Sequence, residues 1–170
     1  TDSPITVVIT AKAGTAGQAY AMYGVQNASN IIQGGSKAGD AHGDSITLTG
    51  DIGGSYNTAN TINTGSGDDH IEINGNLRDG KNTFNMGDGN DIFTLNGNIA
   101  DGTNKIVMGT GDSHVNIHGD ITGGSTSISL GAGNDVVTLD GHVQGNLSIT
   151  GGDGSDLLVL KADSYADYIA

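Results

Sequence analysis

The chain has no cysteine and no tryptophan, one proline (Pro4) and one glutamate (Glu72) among 170 residues. Without cysteine there are no disulfide staples; that lack fits many bacterial extracellular proteins but does not place a compartment. Positive charge is scarce: six Lys and Arg stand against nineteen acidic residues, for a net charge of -13. Arg78 and the five lysines do not cluster, which argues against nucleic acid or an anionic membrane as partner. No apolar run is long enough to cross a bilayer, so membrane insertion is not expected. No initiator Met or signal peptide is legible, so Thr1 is expected to be either a processed end or an artificial boundary. Aromatic residues make up 4% of the chain. Few aromatics with high charge is the composition of disordered chains. Regular apolar alternation argues for a folded one, leaving open disorder of the cation-free state.

What is present is glycine, thirty of them, and a phrase that returns about every 22 residues. One copy reads Gly87-Asp88-Gly89-Asn90-Asp91-Ile92-Phe93-Thr94-Leu95-Asn96-Gly97, and another Gly131-Ala132-Gly133-Asn134-Asp135-Val136-Val137-Thr138-Leu139-Asp140-Gly141. Such a period marks a solenoid. Aligned on the acidic position, the copies fall at Asp44, Asp69, Asp91, Ser113, Asp135 and Asp156. Two and four residues on come apolar pairs: Ile46 and Leu48, Ile71 and Ile73, Phe93 and Leu95, Val115 and Ile117, Val137 and Leu139, Leu158 and Leu160. This period-two alternation predicts a strand with one buried face. A glycine turn follows, and then a second strand carrying Phe84 and Met86, Ile106 and Met108, Ile128 and Leu130, or Leu147 and Ile149.

Each coil therefore reads strand, turn, strand, loop. One coil cannot bury its own apolar face, but coils stacked at ~4.8 Å share a thin continuous core. The expected fold is an all-β parallel β-solenoid, a β-roll or β-helix, of about 22-residue coils in one domain. Residues 1–38 depart from the pattern and predict an atypical N-terminal cap with short strands at Ile5–Ile9, Tyr20–Tyr23 and Ile31-Ile32. Residues 39–160 form the repeats and 161–170 an atypical tail.

The loop composition suggests a metal. Glycine admits left-handed backbone angles that turn carbonyl oxygens toward a common point, and the aspartate brings a carboxylate there. Adjacent loops would sandwich the ion. Calcium accepts six to eight oxygens in flexible geometry, whereas magnesium wants a stricter octahedron. The candidate ligands are Asp69, Asp91, Asp135 and Asp156, with the carbonyls of Gly65, Gly67, Gly87, Gly89, Gly109, Gly111, Gly131, Gly133, Gly152 and Gly154. In the copy where Ser113 replaces the aspartate, Asp112 stands beside it and is the remaining acidic candidate. The competing reading is that these aspartates only cap turns by side-chain hydrogen bonds.

The pattern Gly-x-Gly-Asn-Asp followed by alternating apolar residues resembles the repeats-in-toxin (RTX) calcium-binding β-solenoids. It is closest to the long-repeat variety of giant bacterial adhesins, one of which binds ice. The likeness covers about residues 64–160, and Gly151-Gly152-Asp153-Gly154-Ser155-Asp156-Leu157-Leu158 meets the nonapeptide form best. It implies one calcium loop per coil and a chain that folds on meeting calcium outside the cell. The first copy, Gly39-Asp40-Ala41-His42-Gly43-Asp44, lacks the middle glycine. The Tyr165–Ala170 end weakly resembles a type I secretion signal, with an ordinary tail as the equal alternative.

Other constellations carry less. His114 and His118 would lie ~13 Å apart on a strand and cannot share a zinc ion; outward, solvated histidines are expected. His70 and His114 share an outward column with Ile92 between them. Acids sit in calcium positions and Arg78 stands alone, so no enzyme is expected. Two glycosylation triplets, Asn27-Ala28-Ser29 and Asn146-Leu147-Ser148, are the kind that arise by chance. Ice binding would need regular rows. The row Asp68, Asn90, Asp112, Asn134, Ser155 is regular, but its neighbour Ser66, Asp88, Thr110, Ala132, Asp153 is mixed. The expected function is a secreted, calcium-stabilised structural protein at the cell surface. It would self-assemble end to end or laterally into a filament or surface layer. The alternative is a module of a larger adhesin that binds a surface glycan or ice.

Overall fold

A computed structural model describes residues 5–10, 19–23, 28–33, 43–54 and 58–161. Their strands are β1 (Ile5–Thr10), β2 (Ala19–Tyr23), β3 (Ala28–Gln33), β4 (Ser45–Thr49), β5 (Ala59–Ser66), β6 (His70–Asn74), β7 (Lys81–Asp88), β8 (Ile92–Leu95), β9 (Thr103–Thr110), β10 (His114–Ile117), β11 (Ser125–Ala132), β12 (Val136–Leu139), β13 (Asn146–Asp153) and β14 (Leu157–Leu160). Odd-numbered strands form one seven-stranded sheet in chain order, and even-numbered strands form the other. All pairings are parallel, and coils repeat about 22 residues apart. The protein is a parallel β-solenoid.

The repeat is carried into space without slippage. Phe93 on β8 pairs with Ile71 on β6 and with Val115 on β10, so each apolar position stacks on its counterpart. A one-residue slip would turn every such side chain outward. Inward residues of the two sheets meet in a core one side chain deep on each side. Phe84 from one sheet and Phe93 from the other touch there, with ring centroids 5.0 Å apart and planes tilted by 58°. A third wall is a column of single parallel bridges through Ile52, Leu77, Ile99, Ile121 and Val143. At these bridges the chain turns between the sheets.

The segments expected as a cap contribute β1, β2 and β3, which extend both sheets in the same alternation. Of the tail expected over 161–170, only Lys161 lies within the described residues. One inward row was not anticipated from the apolar pattern. Asn60, Asn82 and Asn104 point into the core at 22-residue intervals, and their amides bond in sequence: Asn60 donates to Asn82 at 2.8 Å and Asn82 to Asn104 at 2.9 Å. Each buried amide thus finds its partner in its own image one coil on, which lets a polar group stay in a dry interior.

The candidate metal centre between stacked loops

The loops at residues 65–69, 87–91, 109–113, 131–135 and 152–156 lead from the odd-numbered sheet to the even-numbered one. From Gly87 onward, both glycines of each Gly-x-Gly are required by the stacking. Gly87 and Gly109 have φ of 110° and 100°, and a Cβ on either would sit 1.7 and 1.8 Å from the glycine carbonyl oxygen of the coil before. Gly89, Gly111, Gly133 and Gly154 stand in the same relation to Gly67, Gly89, Gly111 and Gly133, at 1.8 to 2.2 Å. These carbonyl oxygens lie against the glycines of the following coil, in two files whose successive members are one coil apart.

The acidic position of each coil lies beside these files and is buried. Asp69, Asp91 and Asp135 are 2%, 0% and 0% exposed, whereas Asp156, in the last coil, is open to solvent. One carboxylate oxygen of each accepts a backbone N–H from the preceding coil: Asp44 to Asp69 at 2.6 Å, Asp69 to Asp91 at 2.8 Å, Ser113 to Asp135 at 2.8 Å and Asp135 to Asp156 at 3.2 Å. The side chains therefore do cap backbone, as the competing reading held, but with one oxygen only. The second oxygens of Asp69, Asp91 and Asp135 are buried and have no hydrogen-bond partner. The Thr64 hydroxyl lies beside the Asp69 carboxylate, where it eases the charge, and bonds to the Met86 carbonyl at 2.7 Å.

Stacking like charges in a dry place has the expected electrostatic result. Burial pushes the Asp91 carboxyl up to about 7, with the carboxylates of Asp69, Asp68 and Asp88 adding to it against the pull of the Asp69 amide. Burial raises Asp69 and Asp135 as well, helped by Asp44 and Asp68 for the first and by Asp156 and Asp112 for the second. A buried carboxylate oxygen without a donor is costly. A proton or a cation would relieve it. Among the described residues no three His, Asp or Glu side chains gather around one point. Any ion here would take one carboxylate per gap and fill its shell from backbone carbonyls. Such an all-oxygen, mostly neutral donor set suits a hard cation of flexible coordination.

Asp112 does not join the buried column. It stands in the exposed row beside it, where Asn90 accepts from the Asp112 amide at 2.9 Å and Asp112 from the Asn134 amide at 2.7 Å. This outer row of Asp68, Asn90, Asp112, Asn134 and Ser155 is a ladder of opposite sense: here the later coil donates to the earlier side chain. A third such ladder, overlooked in the sequence, runs along the other turn. The amides of Asn76, Asn98, Asp120 and His142 donate to Asp51, Asn76, Asn98 and Asp120 at 2.8 to 2.9 Å. Its signal was available: an Asp or Asn follows each turn glycine at Gly50, Gly75, Gly97 and Gly119.

Away from the loops, two isolated residues of the sequence find partners across coils. Arg78 pairs with Asp51, whose carboxyl burial raises but whose bonds to the Asn76 amide and to Arg78 hold below the usual value. His118, outward as expected, meets Asp140 at 2.5 Å, and Lys161 reaches the same carboxylate at 2.8 Å. His70 and His114 do flank Ile92 in one outward column. Comparison with protein-family models, with curated proteins and with solved structures yields no match for this chain.

Proposed function

We propose that this is an extracellular structural protein of the RTX-like kind, a solenoid whose stacked loops hold calcium and whose ends join copies into a filament or surface layer. The observation that carries the calcium reading is the column of buried carboxylates, each with one oxygen bonded to the preceding coil and the other without a partner. Calcium bound there would neutralise the stacked charges. Asp69, Asp91, Asp135 and Asp156 would supply the carboxylates, and the files of glycine carbonyls the neutral oxygens. Because the core is thin, ion binding would contribute a large share of folding free energy. Low calcium inside a cell would then leave the chain weakly stable and easily unfolded for export, and high calcium outside would lock the fold.

Support for assembly comes from the C-terminal edge. Among the described residues β13 and β14 are the last strands of the two sheets, and Leu157 and Leu158 are 56% and 47% exposed, where their counterparts Val136 and Val137 are half-buried and buried. A parallel stack has unlike ends, so joining β13 and β14 to the β1 and β2 edge of another copy would repeat without closing. Negative-stain electron microscopy of calcium-stripped protein, before and after millimolar calcium, tests the whole reading. Polymers that form only with calcium are expected. Discrete particles in both conditions would overturn the assembly claim and favour a module of a longer adhesin, for which glycan retention and ice recrystallisation are the next assays.

A further inference from the structure

The column of acidic side chains is interrupted once. At the place where other coils put a carboxylate, the loop at 109–113 puts the Ser113 hydroxyl, 1% exposed. It takes over the bond a carboxylate would make, accepting the Asp91 amide at 3.1 Å. It can also do what no carboxylate can, which is to donate. Its hydroxyl faces the Gly89 carbonyl oxygen at 3.5 Å, a member of the file of loop oxygens offered to a cation elsewhere. The loop gaps are thus of two kinds. Those closed by Asp69, Asp91 and Asp135 each contain a buried oxygen with no donor. The gap closed by Ser113 contains a neutral hydroxyl, bonded to the Asp91 amide, in place of the carboxylate.

We infer that the gap between Asp91 and Ser113 takes no cation and divides the solenoid into two separately loaded stacks, one ending at Asp91 and the other beginning with Asp135. The inference rests on the calcium reading above. It concerns which gaps of this chain are filled, and it follows from charge and valence: the Asp88 carboxylate at this gap is exposed and engaged by the Thr110 hydroxyl at 2.8 Å, so the buried side offers a divalent ion a neutral hydroxyl and carbonyl dipoles but no carboxylate. The backbone pairing of β8 with β10 continues across the seam unchanged. The interruption lies in the ion column and not in the sheets.

The test is a count of bound calcium ions on the full chain, by isothermal titration of calcium into stripped protein. Ser113→Asp should bind one more ion than the wild type, and Asp135→Ser one fewer. Equal counts for wild type and Ser113→Asp, both folded and both binding calcium, would overturn the inference and leave the calcium reading standing. A wild type that binds no calcium would overturn the calcium reading itself. Should Ser113→Asp fail to fold, amide exchange of the wild type decides. Saturating calcium should slow exchange at the Asp69 and Ser113 amides, which bond to carboxylates, by about 100-fold when free calcium is ~100 times Kd. The Asp91 amide, bonded to Ser113, should slow by less than a tenth as much, and equal slowing at all three would refute the seam.

Discussion

Calcium-stripped protein should become more stable when it is acidified from pH 8 to pH 5, the reverse of what an aspartate-rich protein does when its carboxylates are paired. The Asp91 carboxyl is raised from 3.8 to about 7. The native state therefore holds a proton that the unfolded chain releases between about pH 4 and pH 7, and stability falls as pH rises through that window. At ~1.4 kcal/mol per pH unit, the charged form of this fully buried group opposes folding by on the order of 4 kcal/mol at pH 8. Asp69 and Asp135 act in the same direction. Acidifying from pH 8 to pH 5 recovers about two pH units of this, on the order of 3 kcal/mol, and since 1 kcal/mol moves the melting point of a chain of this size by roughly 2–4 °C, Asp91 alone should raise it by roughly 5–10 °C. Thermal melts followed by circular dichroism, with calcium removed beforehand on a chelating resin, measure it. Asp91→Asn isolates the group, because its amide oxygen can still accept the Asp69 N–H. Without calcium at pH 8 this variant should melt above the wild type and lose most of the pH dependence. With millimolar calcium the order should reverse. A wild type that melts lower at pH 5 than at pH 8 without calcium, or an Asp91→Asn protein less stable than wild type under those conditions, would refute the reasoning.

Three further outcomes are expected. Gly109→Ala puts a methyl 1.8 Å from the Gly87 carbonyl at φ 100°, so urea denaturation should show a loss of at least ~3 kcal/mol, while Gly109→Ser gives no rescue. Phe93→Ala empties a fully buried contact with Phe84 and should lower stability by about 3–5 kcal/mol in the same assay, with Phe93→Leu losing much less. Arg78→Ala breaks an exposed ion pair and should change stability by under ~1 kcal/mol, whereas Asp51→Ala also strips the acceptor from the Asn76 amide and should be the more harmful of the two.

The coil path was legible because it is written twice, in alternation and in glycine spacing. Phe84 with Met86 and Phe93 with Leu95 all point inward, where period two puts them. The stacked loops were legible too, since glycine at Gly87 and Gly89 has few other uses. What escaped were polar side chains whose partners lie a whole coil away. Asn82 reads as a strand-weakening polar residue, and only the register that places Asn60 and Asn104 on either side makes it a satisfied interior group. Arg78 appears solitary for the same reason, since its partner Asp51 is 27 residues earlier. Asp112 was drawn toward the site by being next to Ser113, but neighbouring residues at a strand end face different ways, and it went to the outer ladder. Whether an aspartate caps backbone or holds an ion is likewise not decided by its spacing. The geometry answers that one oxygen of each does the first.

The identical spacing of the middle coils has a consequence for how such a molecule can vary. Asp69, Asp91, Ser113 and Asp135 are each 22 residues apart, and every coil bonds to its neighbours by the same set of positions. Deleting residues 92–113 would bring Asp91 against Asp135 with strands, glycine files and all three ladders in step. Length is therefore not dictated by closure of an interior, as it is in a globule. A recombination event that keeps the 22-residue frame could shorten or lengthen this protein like links taken from a chain, and the join would be invisible in the finished fold.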